Sequence, residues 1–290
     1  MERISLKAYA KINLGLDVLG KRADGYHDLK MIMQTIDVYD EISVERIPSE
    51  GVFLLNSNVT NLPLDDNNLM VKAARLMWER FPISGGLKMH LLKKIPMAAG
   101  LAGGSADAAA VLCGINRLYE LGLSKEELCR IGVRVGADVP YCILGGTCLA
   151  EGIGDVLTSL PALPSKPLVL IKPGMDVSTG LVYRELDAFN GSYKHPDIEG
   201  QKAAVEKGNI KNVADLMGNV LEEVTAAKYP EVRLLKARLK EEGACGAMMS
   251  GSGPSVFGLF DDDDKAFRAA QKMQEEFPEY EVFHTSLVTP

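Results

Sequence analysis

The first stretch of the chain to show a clear period is AYAKINLGLDVL. Ala10, Ile12, Leu14, Leu16 and Val18 fall on one side of an extended backbone, and Tyr9, Lys11, Asn13, Gly15 and Asp17 on the other, which predicts a strand. EISVERI (41–47) and LKMHLLKKI (87–95) alternate less cleanly and predict two more. Between them, NNLMVKAARLMWERF sets Leu69, Ala73, Leu76 and Met77 on one side of a helix. A second helix is predicted from Ser105 to Tyr119, where alanines favour the helix and Ala108, Leu112, Ile115 and Tyr119 form a stripe. A third opens at SKEEL, with Ser124 and Glu127 spaced as a capping box.

After DVPYCILGGTCLA comes EGIGDVLTSLPALPSKP (151–167), rich in glycine and proline and read as a linking loop. It divides the chain into residues 1–160 and 161–290. The second part opens on a short apolar strand, PLVLIKP, followed by helical segments around 179–189, 198–207, 210–226 and 231–242. GAMMSGSGPSVFGLF reads as strand, tight turn and strand. A helix at 263–277 and a closing strand, YEVFHTSL, complete the chain. This order of elements predicts an α+β fold with helices on one face of a sheet. The run Asp261 to Asp264 could suggest a metal site, but between a strand and a helix it is expected to serve the helix N-terminus.

Composition narrows the possible functions. With 47% hydrophobic and 24% charged residues the chain has the makings of a packed core. Its net charge of -7, without a basic block, disfavours nucleic acid or an anionic membrane as partner. Cys113, Cys129, Cys142, Cys148 and Cys245 make no CxxC pair and are expected to be reduced, mostly buried thiols. The N-terminus begins with charge and then alternates, unlike a signal peptide, and no run approaches the ~18 apolar residues of a membrane span. A cytoplasmic protein is expected.

Four stretches carry candidate chemistry. In PMAAGLAGGSADAA a glycine-rich turn runs into a helix N-terminus, where several backbone N–H groups and the helix dipole converge. Gly100, Gly103 and Gly104 are suited to positive φ and to close approach of an anion, and Ser105 adds a hydroxyl. The segment is not a Walker A loop, since no lysine follows the last glycine, and it lacks the GxGxxG spacing. It is either a phosphate cradle or a loop that lets a helix pack tightly. Lys11 and Asn13 share the polar side of their strand and point into the same space, although a strand lysine is more often simply solvated. RADGYHDL joins a turn to the adjacent Tyr26 and His27. In VGADVPYC, Asp138 lies among small and apolar residues, where a buried carboxylate would need a partner such as lysine; a plain turn cap is the alternative.

Taken together and in this order, these stretches resemble the GHMP kinases, which include galacto-, homoserine and mevalonate kinases. The carriers are AKINLGLDVLGKRADGYHDL, PMAAGLAGGSADAA, GADVPYCILGGTCLAEGIGD and MMSGSGPSVF, which cover essentially the whole chain. RADGYH and GADVP resemble the branch whose acceptor is a cytidine diphosphate ester of methylerythritol. The resemblance implies a two-domain GHMP kinase fold, with a ribosomal protein S5 domain 2-like N-terminal domain and a ferredoxin-like C-terminal domain.

It also implies an ATP- and Mg2+-dependent phosphorylation of the tertiary 2-hydroxyl of that ester. The triphosphate would be wrapped by Pro96, Met97, Ala98, Ala99, Gly100, Leu101, Ala102, Gly103, Gly104, Ser105 and Ala106. Asp138 would take or orient the hydroxyl proton, with Lys11 lowering the hydroxyl pKa. Asn13 would line the acceptor pocket. Tyr26 would stack on cytosine, His27 would bond its polar edge, and Tyr183 would cover the other face. SGSGP, Ser250 to Pro254, would hold the loop and the substrate diphosphate. The family loop commonly ends Gly-Gly-Ser-Ser, whereas Ala106 stands in the last place here, so one hydroxyl is missing. Asp107, charged beside a triphosphate, would face the acceptor or pair with a basic residue. The partner expected is a small molecule, and the chain a monomer or weak homodimer. The rival readings are another small-molecule GHMP kinase, which has no nucleobase to justify Tyr26-His27, and a non-catalytic nucleotide-binding protein, which needs neither Lys11 nor Asp138.

Overall fold

Strand β1 (Arg3–Lys21) extends the predicted strand at both ends, and from Ala10 to Val18 every residue is buried. The side read as polar is therefore covered too, and Lys11, Asn13 and Asp17 are all interior. The structure, a computed structural model, describes residues 2–189 and 193–289. Strand β2 (His27–Ile47) is three times the length predicted from EISVERI, because its run from Met31 to Ile36 is buried on both sides and so lacks alternation. The other elements of the first part are β3 (Phe53–Ser57), α1 (Leu69–Arg80), β4 (Gly86–Leu92), α2 (Gly103–Leu118), α3 (Lys125–Gly132) and α4 (Val139–Leu144). The predicted capping box is present: Ser124 accepts from the Glu127 amide while Glu127 accepts from the Ser124 amide.

The segment 151–167, expected to be loop, holds the end of β5 (Thr147–Gly152) and all of β6 (Val156–Ser159), which pair as an antiparallel hairpin. Gly152 and Gly154 turn it with positive φ, so the glycines mark a tight turn rather than a linker. Beyond it come β7 (Pro167–Lys172), α5 (Thr179–Ala188), α6 (Ile198–Glu206), α7 (Ile210–Asp215), β8 (Gly218–Asn219) and α8 (Val220–Lys228). The single helix expected over 210–226 is broken because Gly218 pairs with Gly15 of β1 and Asn219 caps α8 through the Leu221 amide. Then follow α9 (Glu231–Glu241), β9 (Gly246–Met249), β10 (Val256–Leu259), α10 (Asp263–Glu276) and β11 (Glu281–Ser286). Asp262 caps α10 by accepting from the Lys265 amide, the role expected of the aspartate run. All five cysteines are free thiols, but only Cys148 is fully buried; Cys245, in the short turn before β9, is exposed.

The chain forms two compact units. One consists of Met1–Ala10, Val38–Met97 and Ala102–Gly145, the other of Lys11–Asp37, Ala98–Leu101 and Gly146–Pro290. This division does not follow the sequence order of 1–160 and 161–290, because β1 and β2 each run through both units. In the first unit, β4 lies between a parallel β3 and an antiparallel β2, and α1 and α2 close a core that includes Ile42, Val44, Met77, Met89 and Ile115. In the second, the beginning of β2 pairs with β5, and an antiparallel sheet runs in the order β11-β7-β10-β9. The fold is α+β, as the element order predicts. Among the described residues no helix is long and apolar enough to cross a membrane.

Candidate active site

Within the second unit, Lys11 reaches the site from the buried middle of β1. Its Nζ donates to Asn13 Oδ1 at 2.8 Å and to the Gly100 carbonyl at 3.0 Å. A lysine only 5% exposed costs several kcal/mol of desolvation unless it is partnered, so its position is specified by the acceptors around it. The Gly100 carbonyl also accepts from the Ser250 hydroxyl at 3.0 Å. Gly100 has φ +73, and a Cβ there would stand 2.1 Å from the Ser250 carbonyl. Only glycine satisfies both the backbone conformation and the approach.

The β9–β10 turn that receives Gly100 is itself braced. Asn219 Nδ2 donates to the carbonyls of Met249 and Gly251, and Thr225 donates to that of Ser252. The Ser252 and Thr179 hydroxyls lie 2.8 Å apart. Lys11 and Asn13, Gly100 and SGSGP, three separate readings of the sequence, thus form one connected group.

Tyr26 and His27 occupy different environments. The turn before β2 is held by Arg22, whose guanidinium donates to Asp24 and Asp28, and Asp24 also accepts from the Tyr26 amide. The Tyr26 ring stands 61% exposed on it. The His27 ring is buried, stacks on Tyr183 with centroids 4.8 Å apart, and places Nε2 2.7 Å from Asp187 Oδ1. Asp187 Oδ2 accepts from Lys21 Nζ at 2.6 Å. Hydrogen bonds from Lys21, then from His27, hold the Asp187 carboxyl below the usual carboxylate range.

The loop runs from Ala98 to Leu101, which belong to the second unit, and enters α2 in the first. Ala98 and Ala102 have φ of +50 and +56, whereas Gly103 and Gly104 are already helical. The expectation that all three glycines supply positive φ is corrected: Gly100 does, and two alanines carry the rest at a cost of about 1–2 kcal/mol each. Gly103 is needed for space instead, since a Cβ there would meet Lys93 Nζ at 2.9 Å. The Ala106 side chain packs in the core, so its methyl faces away from any ligand of the loop. Ser105 keeps its hydroxyl in a half-buried position in the first turn of α2, near Gly136.

Asp107 does not face outward. It is buried with Lys93 and Asp40: Lys93 Nζ lies 2.5 Å from Asp40 Oδ2 and 2.8 Å from Asp107 Oδ2. Asp40 Oδ1 accepts from the amides of Lys94 and Ile95. Burial pushes the Asp107 carboxyl up to about 8; Lys93 opposes the rise and Asp40 adds to it. Asp138 is corrected in one respect. It is half-buried and opens α4 without capping it through its side chain, so burial gives it no need of a lysine.

Asp187, Lys93 and Asp40 were not singled out from the sequence. Asp187 could have been, since Thr179, Tyr183 and Asp187 recur every four residues along α5. Lys93 and Asp40 had no such signal, because Asp40 lies inside β2 and Lys93 just past the end of β4, with no period to mark either.

The chain matches two family models, GHMP kinases N terminal domain over residues 68–146 and GHMP kinases C terminal over 201–279. It is 48% identical to the 4-diphosphocytidyl-2-C-methyl-D-erythritol kinase of Lachnospira eligens, with both chains covered in full. It is 47% identical to the kinase of that name from Clostridium acetobutylicum, over 94% of this chain and 97% of the relative. A crystal structure of 4-(cytidine 5'-diphospho)-2C-methyl-D-erythritol kinase superposes with a TM-score of 0.83 at 33% identity, covering 99% of this chain and all of the other. The homoserine kinase of Cytophaga hutchinsonii shares the fold, with a TM-score of 0.80 at 20% identity over 100% of this chain and 95% of that one.

Proposed function

The chain belongs to the 4-diphosphocytidyl-2-C-methyl-D-erythritol kinases of the GHMP kinase superfamily, and we propose that it transfers the γ-phosphoryl group of ATP to the 2-hydroxyl of 4-diphosphocytidyl-2-C-methyl-D-erythritol. The products are the 2-phosphate and ADP, in a step of non-mevalonate isoprenoid precursor biosynthesis. The observation that carries this reading is the buried Lys11, bonded at once to Asn13 and to the Gly100 carbonyl of the loop. A desolvated cation tied to a glycine loop suits a reaction whose main demand is in-line positioning and neutralisation of charge.

In this reading Pro96 to Ala106 wrap the triphosphate. The first amides of α2 and the Ser105 hydroxyl face the phosphates, and Gly100 leaves the space that a Cβ would fill. Lys11 stabilises the alkoxide that develops on the acceptor, and Asp138 takes or orients the hydroxyl proton. The half-exposed setting of Asp138 suits a group that exchanges protons with substrate. Asn13, fixed by Lys11, lines the acceptor pocket. The exposed Tyr26 ring stacks on cytosine, with His27 and Tyr183 forming the inner wall.

Mg2+ would enter bound to ATP and neutralise triphosphate charge. An ion brought in this way would be held chiefly by phosphates and water. Ser105 is the hydroxyl the loop offers it. The proposal includes a cytoplasmic location and a monomer or weak homodimer.

The test is ADP release with ATP, Mg2+ and a panel of acceptors: the cytidine compound, free methylerythritol, homoserine, mevalonate and galactose. Turnover with the cytidine compound alone is expected. Turnover with another acceptor would discard the nucleobase pocket, and silence from folded, ATP-binding protein would discard the kinase reading.

A further inference from the structure

The contacts of His27 determine more than the position of its ring. Helix α5 presents Tyr183 and Asp187 one turn apart; Tyr183 covers the face of the imidazole and Asp187 takes its Nε2 edge at 2.7 Å. Asp187 is in turn held from its other oxygen by Lys21, at the end of β1. A carboxylate kept ionised by a neighbouring lysine can only accept a hydrogen bond. The hydrogen of the His27–Asp187 contact is therefore on Nε2. Among the described residues His27 Nδ1 has no hydrogen-bond partner. In a neutral imidazole protonated at Nε2, Nδ1 is a lone-pair acceptor.

We infer that Asp187 is a positioning residue for base selection: by holding His27 as the Nε2–H tautomer it leaves Nδ1 to accept from the amine of cytosine and to reject uracil. The amine at C4 of cytosine is a donor, and uracil carries an acceptor oxygen in its place. Two acceptors facing each other leave both unpaired, which a site built for a donor discriminates against strongly. Lys21 contributes through Asp187, by keeping the carboxylate ionised. The inference rests on the cytidine reading above.

The experiment uses the full chain labelled with 15N-histidine. Ring nitrogen shifts and couplings near neutral pH report the tautomer of each of the four histidines, with cytidine 5'-diphosphate added as probe. Kinetics with the cytidine and uridine forms of the diphosphate substrate accompany it. His27 is expected to be neutral and protonated on Nε2, with kcat/KM favouring cytidine on the order of 100-fold. Asp187→Asn, whose amide can donate to Nε2 and invert the tautomer, is expected to cut that preference about tenfold through KM, with Asp187→Glu restoring part of it.

A wild-type His27 protonated on Nδ1, or on both nitrogens, overturns the inference, as does an unchanged preference in folded Asp187→Asn. The wild-type spectrum requires no variant, so a misfolded substitution leaves the test intact. A wild-type enzyme that neither binds the cytidine diphosphate nor turns over the cytidine compound overturns the cytidine reading itself. One that does both, and selects cytosine equally well without Asp187, overturns this inference alone.

Discussion

The ammonium of Lys93 lies 2.8 Å from the carboxyl of Asp107, and both side chains are buried. Asp40 competes for the same ammonium at 2.5 Å. One lysine balances one carboxylate, so the second is relieved by keeping its proton. Asp107, with one oxygen buried and without a hydrogen-bond partner among the described residues, is the group pushed up to about 8.

A dependence of stability on pH follows. The folded protein holds the Asp107 proton up to about pH 8, whereas an unfolded chain releases it near 3.8, the ordinary value of an aspartate. The contribution is thus present at low pH and is lost as pH rises through that window, by at most about 1.4 kcal/mol per pH unit. Asp107→Asn mimics the protonated acid and is free of this loss. Urea midpoints should show the variant gaining on wild type from pH 5 towards pH 8; a constant difference would refute the buried proton.

The loop backbone predicts opposite outcomes at two neighbouring positions. Ala102→Gly should relieve a left-handed alanine and stabilise the protein by about 1 kcal/mol after the extra entropy of glycine is counted. Gly100→Ala should cost about 2–4 kcal/mol, from the left-handed backbone and the overlap with the Ser250 carbonyl. It should also lower turnover by displacing the carbonyl that Lys11 and Ser250 share. Equal denaturation midpoints for the two variants would contradict the geometry.

Asp138→Asn tests the proton acceptor. Substrate binding by calorimetry should stay within about threefold, while kcat should fall by about 100-fold or more, the usual worth of a positioned base. Near-normal turnover in the folded variant would remove Asp138 from the mechanism.

Tyr26→Ala should raise KM for the cytidine substrate and leave kcat nearly unchanged. Stacking on a base is binding energy common to ground and transition states, worth about 1–3 kcal/mol. A fall in kcat with KM unaltered would place Tyr26 elsewhere in the reaction.

Local signals were read where a single element carried them. The capping box of α3, the aspartate cap of α10 and the stripe of α2 depend on residues within one or two turns of each other. The glycine loop and the strand bearing Lys11 and Asn13 were legible for the same reason. Where burial on both sides removes alternation, as along Met31 to Ile36 of β2, the period is silent, and only the end of that strand, EISVERI, is legible. Where a glycine pair makes a tight hairpin, at Gly152 and Gly154, composition alone does not distinguish the turn from a linker.

By itself the sequence determined the α+β class, most of the helices and the residue types of the proposed chemistry, because caps, periods and glycine turns are short-range physics. Only the tertiary structure decided which carbonyl holds Lys11, that Ala98 and Ala102 bear the left-handed backbone, and that Asp107 keeps company with Lys93 and Asp40. It alone joined His27 to Asp187, 160 residues apart. Partners so distant in the chain are chosen by packing and by the cost of leaving a buried charge or polar edge unpaired. That cost is paid in three dimensions, where no local pattern records it.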